Sequence, residues 1–201
     1  MKRLTATICM ILLALPGIHA SEPVSFYLQS ISIHGQTNIN RFTFTLDSSI
    51  TQEVDLPRQL PSQSRPSHKV WFKIPVKAFQ ARKPQMRRDF QKMLQASRYP
   101  NIRVAIDKEE LIEILKGLYP SDLQMKLSLA GHSDSVRSQY NIKQTSPNQL
   151  LLKGLSSINL YNFQLTPPQK MLGLVEVKQT ILIKFDMVLS YDQAAFRNKT
   201  D

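Results

Sequence analysis

The sequence nearly lacks cysteine, and its one example, Cys9, sits inside an apolar run close to the N-terminus. That run, Leu4 to Leu15, follows Lys2 and Arg3, is too short to span a bilayer, and leads into Pro16, Gly17 and Ile18-His19-Ala20. A basic start, a short apolar stretch and a small-residue end predict a signal peptide over residues 1–20, cleaved near Ala20. The expected product is one domain, residues 21–201, periplasmic or secreted. Cys9 leaves with the signal, so this domain has no disulfide although its compartment would permit one. A domain of this size buries roughly 70% of the surface its unfolded chain exposes and does not need one. No later run of 18 apolar residues exists, which excludes a membrane-spanning helix from the domain.

Catalytic patterns are missing as well. Histidine occurs after the signal only at His34, His68 and His132, each expected in a turn or loop. No two stand at i, i+4, and no carboxylate pair flanks them at metal-ligand spacing. No Gly-x-Ser-x-Gly elbow or glycine-rich phosphate loop is present. The sequence therefore implies no metal, no cofactor and no catalytic residue. An exported hydrolase using His34 or His132 is the weakest of the readings kept open.

Positive charge is plentiful and uneven. Leaving out Lys2 and Arg3, 24 basic residues face 15 acidic ones. Twelve of the basic residues lie between Arg58 and Arg103, where Asp89 is the only acid. The remainder of the domain is close to neutral, so this quarter of the chain sets its long-range field. Interleaved aromatics (Trp71, Phe72, Phe79, Phe90, Tyr99) could suit a nucleic-acid groove, but export separates the protein from nucleic acid. Anionic membrane surface or head groups remain as partners, with a merely solvated face as the alternative.

Alternation with period two dominates the pattern. It predicts firm strands over 70–77, 101–106, 123–130, 149–162 and 175–190, the last unusually long. Weaker strands are expected at 26–33, 41–47 and 136–145. Turn signals separate them at His34-Gly35-Gln36, Gly131-His132-Ser133, Ser146-Pro147-Asn148 and Thr166-Pro167-Pro168, and Pro57 to His68 reads as an exposed loop. About eight strands at such spacing predict an all-β fold, a single antiparallel barrel.

Two helices interrupt the strands. The first starts near Pro84, places Met86, Phe90, Met93 and Leu94 on one face, and is expected to stop at Tyr99-Pro100. The second starts at Asp107 with Glu110 three residues on, a capping box in form, and carries Leu111, Ile114, Leu115 and Leu118.

An eight-stranded barrel is just wide enough to fill with side chains or to hold one small ligand. The sequence leaves both open. If the barrel is hollow, the expected wall takes Phe42, Phe44, Val70, Phe72, Ile74 and Ile102 from its first half. Val104, Leu127, Leu129, Ile181, Ile183 and Phe185 come from the second. Met86, Phe90, Met93 and Leu94 would cap the open end, and methionine adapts well to a flexible ligand. Arg82, Lys83, Arg87, Arg88 and Lys92 would surround the mouth and meet an anionic head group or membrane. If the barrel is filled, the protein is a structural or interaction protein of the cell envelope acting through that basic face.

Three segments add a family resemblance. Met86-x-x-Asp89-Phe90-x-x-x-Leu94 followed by Tyr99-Pro100-x-Ile102 resembles the signature of the YceI-like proteins. Ile33-x-Gly35-x-Thr37-Asn38-Ile39-x-x-Phe42 is similar to that family's first hairpin. Phe163-x-x-x-Pro167-Pro168, then Gly173 and an alternating strand to Leu189, is similar to its last arm. The chain departs from the pattern between Asp107 and Tyr140, where Lys108–Pro120 reads as an insertion. The resemblance implies an exported, lipocalin-like antiparallel barrel with one or two short capping helices. It also implies an isoprenoid-like lipid held inside and no enzymatic activity.

Overall fold

The computed structural model describes residues 21–46, 49–57, 69–167 and 176–196. The expectations for the signal peptide, for the loop over 58–68 and for Pro168, Gly173 and Val175 lie outside these residues. The described part is an antiparallel barrel with three short helices.

Its strands are β1 (Ser21–Gln36), β2 (Arg41–Leu46), β3 (Ile50–Pro57), β4 (Lys69–Pro75), β5 (Phe79–Ala81), β6 (Asn101–Asp107), β7 (Leu123–Leu129), β8 (His132–Ser146), β9 (Gln149–Asn159) and β10 (Thr180–Ser190). They hydrogen-bond in the order β4-β6-β7-β8-β9-β10-β1-β2-β5, with β3 also on β1. β2 and β3 share one edge of β1 and act as one broken stave. β4 and β5, joined by a three-residue 3-10 turn at Val76–Ala78, act as another. The chain thus brings the two ends of the sheet together, and the eight resulting staves form a nearly closed barrel. Beside β3 the seam is bridged by the Gln52 side chain, whose Nε2 donates to the Trp71 carbonyl at 2.8 Å.

Several boundaries differ from the sequence reading, each for a local reason. β1 begins at Ser21, not 26, and its inward phase changes: Val24 and Phe26 are buried, then Ile31 and Ile33. A bulge between Leu28 and Ser30 inserts one residue and flips the faces, which hides the strand from any single alternation. His34-Gly35-Gln36 is extended, and the turn is Thr37–Asn40, where the Thr37 hydroxyl accepts from the Ile39 and Asn40 N–H groups. β3 carries no clean alternation because its inward set, Ile50, Gln52, Val54 and Leu56, is interrupted by a polar residue; Pro57, expected in the loop, ends this strand. The C-terminal strand is the shorter β10, and Val177 makes only an isolated bridge to Thr37. The 149–162 strand ends at Asn159, whose side chain accepts from the Tyr161 N–H and starts a 3-10 turn, Leu160–Phe163. The hairpin between β7 and β8 turns on Ala130 and Gly131, both at positive φ (46° and 88°), the backbone of a two-residue primed turn.

Helix α1 (Pro84–Met93) stops before Tyr99. Gln95 is left-handed (φ 50°), its N–H donates to the Lys92 carbonyl, and the Ala96 N–H donates to that of Gln91. This is a Schellman ending without glycine. Helix α2 (Lys108–Leu115) ends the same way on Gly117, and α3 (Gln193–Phe196) packs near it. The expected capping box does not form: Asp107 pairs with Lys69 at 3.1 Å, and Glu110 accepts from the Gln124 N–H. Leu118, expected on the apolar face, lies beyond the helix end and is exposed.

The interior divides into two clusters. One gathers around α2 and α3 and includes Leu56, Val70, Leu111, Ile112, Ile114, Leu152 and Phe196. The other gathers around α1 and includes Phe44, Ile74, Phe79, Phe90, Leu127 and Phe163. The segment read as an insertion is therefore the plug of one barrel end.

Glu110 lies at the edge of that plug. Desolvation raises its carboxyl above the usual range, opposed by the Gln124 N–H and reinforced by Asp107 and Glu113; Oε2 has no hydrogen-bond partner among the described residues. A raised folded-state pKa means that the unfolded chain loses its proton first. Stability then falls as pH rises from the ordinary carboxylate range through the raised value. Glu110→Gln keeps an acceptor for Gln124 and should raise stability at neutral pH while flattening that slope. Unfolding curves at several pH values check this, and an unchanged slope would exclude Glu110 as its source.

Candidate functional site

The cluster around α1 is not filled. A cavity of about 710 Å³ runs through this half of the barrel, a volume typical of sites for small organic ligands. β1 supplies Phe26, Leu28, Ile31 and Ile33 to its wall, β4 Phe72 and Ile74, β6 Ile102 and Val104, β7 Leu127 and Leu129, and β10 Ile181, Ile183 and Phe185. α1 lies over one end. Phe90 stacks on Phe44 of β2 with centroids 4.4 Å apart and meets Phe79 edge-on at 5.6 Å. Met86, Met93 and Leu94 complete the helix face turned to the cavity.

The mouth is marked by lining residues that are also exposed. Asn40 closes the turn before β2 and Arg41 opens that strand, and Arg82 and Lys83 precede α1, so the cavity meets solvent between these two places. Its far end borders Phe26, Ile106 and Met125, which belong to or pack on the filled cluster. Phe26 and Phe72 meet edge-to-face at 5.3 Å there. The tip of the Phe185 ring reaches over Gly154, its partner across the sheet, and would overlap a Cβ at that position. The small residue thus lets an aromatic side chain lie along the wall and keeps the interior wide.

Of the residues expected to line a hollow barrel, Phe42, Phe44, Phe72, Ile74, Ile102, Val104, Leu127, Leu129, Ile181, Ile183 and Phe185 border the cavity. Val70 does not. It is buried in the filled cluster, because Lys69–Asp107 pairing sets its end of β4 beside α2. All four expected cap residues border the cavity. The basic set splits: Arg82 and Lys83 reach the mouth, while Arg87, Arg88 and Lys92 do not line it. Arg87 donates to the Gln80 side chain on β5 at 2.7 Å, and Arg88 donates to Gln85. His34 lies within β1 with Ser32 and Thr43 hydroxyls on its ring nitrogens, and His132 begins β8. No group of metal-ligating side chains forms among the described residues. No described helix is long and apolar enough to cross a membrane.

Sequence reasoning missed Phe26, Leu28, Ile31 and Ile33 of β1 and, among polar residues, Gln52, Asp89 and Ser156 on the wall. Ser156 could have been found: it occupies the inward phase of Leu150, Leu152, Gly154 and Ile158, a polar residue where the alternation calls for an apolar one.

A structure described as a polyisoprenoid binding domain from Saccharophagus degradans, implicated in plant cell wall breakdown, superposes with a TM-score of 0.62. The match covers 83% of this chain and 98% of that one at 12% identity. The chain has the fold of the YceI-like proteins. Burkholderia cenocepacia BcnA is also similar, at 13% identity, 83% and 95% coverage and a TM-score of 0.46. No family model and no curated protein matches the sequence. This barrel therefore shares its architecture with the Saccharophagus domain at only 12% identity.

Proposed function

We propose that the protein is an exported, non-catalytic carrier that holds a long isoprenoid-like lipid inside its barrel. The observation that carries this reading is the apolar cavity, open at one end between Arg41 and Lys83 and walled by residues of all ten described strands and of helix α1. Burying a hydrocarbon chain there contributes roughly 0.8 kcal/mol per CH₂, so a long tail binds without a polar anchor. Support also comes from the Saccharophagus neighbour, described as polyisoprenoid binding. The basic, apolar and small-residue order of residues 1–20 supports export. The cations at the mouth support docking on an anionic membrane surface during loading or delivery.

Organic extraction of purified protein followed by mass spectrometry tests the reading. A polyprenyl species should co-purify, and stripped protein should take up added polyprenol. Empty extracts together with no uptake would leave the barrel as an interaction protein acting through its basic face.

A further inference from the structure

We infer that Ser156 binds a neutral oxygen of the ligand, so that the isoprenoid-like chain enters the barrel with a hydroxyl or carbonyl end first. This rests on the carrier reading and adds to it a ligand class and an orientation. Ser156 is 3% exposed and borders the cavity, and its Oγ has no hydrogen-bond partner among the described residues. The other two buried serines are satisfied: Ser128 shares a 2.7 Å hydrogen bond with Ser133, and Ser138 donates to the Gln139 carbonyl. A buried hydroxyl left unpaired destabilises the protein that contains it, whereas a bound partner recovers the loss. Ser156 stands two residues from Gly154, where Phe185 lies along the wall, and pairs across the sheet with Ile183 and Ser138. A second polar side chain on the wall, Gln52, already donates to Trp71. The cations among the described lining residues, Arg41, Arg82 and Lys83, are all exposed at the mouth. A phosphate beside Ser156 would be a buried charge without a counter-ion, so the group held there is uncharged.

The test compares three probes on wild type, Ser156→Ala and Ser156→Cys. They are geranylgeraniol, the same chain with hydrogen in place of the hydroxyl, and geranylgeranyl diphosphate. Ser156→Ala should weaken the alcohol roughly three- to tenfold, the range a single neutral hydrogen bond provides, and leave the hydrocarbon unchanged or slightly tighter. Ser156→Cys, similar in size and a weaker donor, should fall between. The diphosphate, held by its charge at the mouth, should not respond. Without ligand, Ser156→Ala should melt at or above wild type, because an unpaired polar group has been removed. Equal losses for alcohol and hydrocarbon, an equal loss for the diphosphate, or a marked drop in melting temperature would each overturn the assignment. Failure of all three probes to bind wild type would instead overturn the carrier reading itself.

Discussion

Leu152→Phe should destabilise the protein by about 1–3 kcal/mol, while Ile74→Phe should leave stability within about 1 kcal/mol of wild type and lower lipid uptake. Both substitutions add an aromatic ring to a buried aliphatic position on a barrel strand. They differ in what the ring meets. Leu152 is fully buried in the cluster plugged by α2 and α3, where added volume forces neighbours off their rotamers. Ile74 borders the cavity, where added volume enters space that the ligand would use. Truncation should show the same contrast in the other direction. Leu152→Ala should cost about 2–5 kcal/mol, and Leu127→Ala less, because Leu127 already lacks packing partners on its cavity side. Chemical denaturation and a lipid-uptake assay on the four variants measure both effects. Equal destabilisation by Ile74→Phe and Leu152→Phe, with uptake unaltered, would show that the α1 half behaves as a packed core.

Arg82→Glu with Lys83→Glu should reduce binding to anionic vesicles by at least 30-fold, on an order of 1 kcal/mol for each basic residue near the surface. Both side chains are exposed and stand at the cavity mouth, so their reversal disturbs no packed contact. Arg87 is a poorer choice, since it is half-buried and its guanidinium is held by Gln80. Wild-type binding should weaken steeply as salt rises, because the attraction fades within a Debye length. Circular dichroism and the melting temperature of the double variant should match wild type. Equal binding of wild type to neutral and anionic vesicles, or no effect of the reversal, would reduce the basic stretch to a solvated face.

Much of the fold was legible in the sequence because a strand with one buried face alternates: β4, β6 and β7 carry an apolar residue at every inward position, and β9 at all but Gly154 and Ser156. Eleven of the twelve residues expected on the wall border the cavity for the same reason, since a barrel directs every inward residue toward one axis. The parts that were misread have identifiable causes. The bulge in β1 divides its alternation into two phases, the inward face of β3 is interrupted by Gln52, and the start of β10 follows a bend instead of an unbroken run of alternating residues. Helix α1 ends on Gln95, a residue type that carries no stop signal of its own.

By itself, then, the sequence determined the class of fold, the inward face of most staves, the apolar face of α1 and the concentration of positive charge around it. These are local properties, set by residue spacing and composition. Whether the barrel is hollow was decided only in three dimensions. Two stretches of equally apolar strand lie along the same staves, yet α2 and α3 fill the space above one stretch while α1 leaves open space above the other. Volume enclosed between strands depends on all of them together, and no single segment encodes it. For the same reason tertiary structure alone placed Val70 in the filled half, brought Arg82 and Lys83 to the mouth while tying Arg87 to Gln80, and left the inward Ser156 hydroxyl without a partner among the described residues.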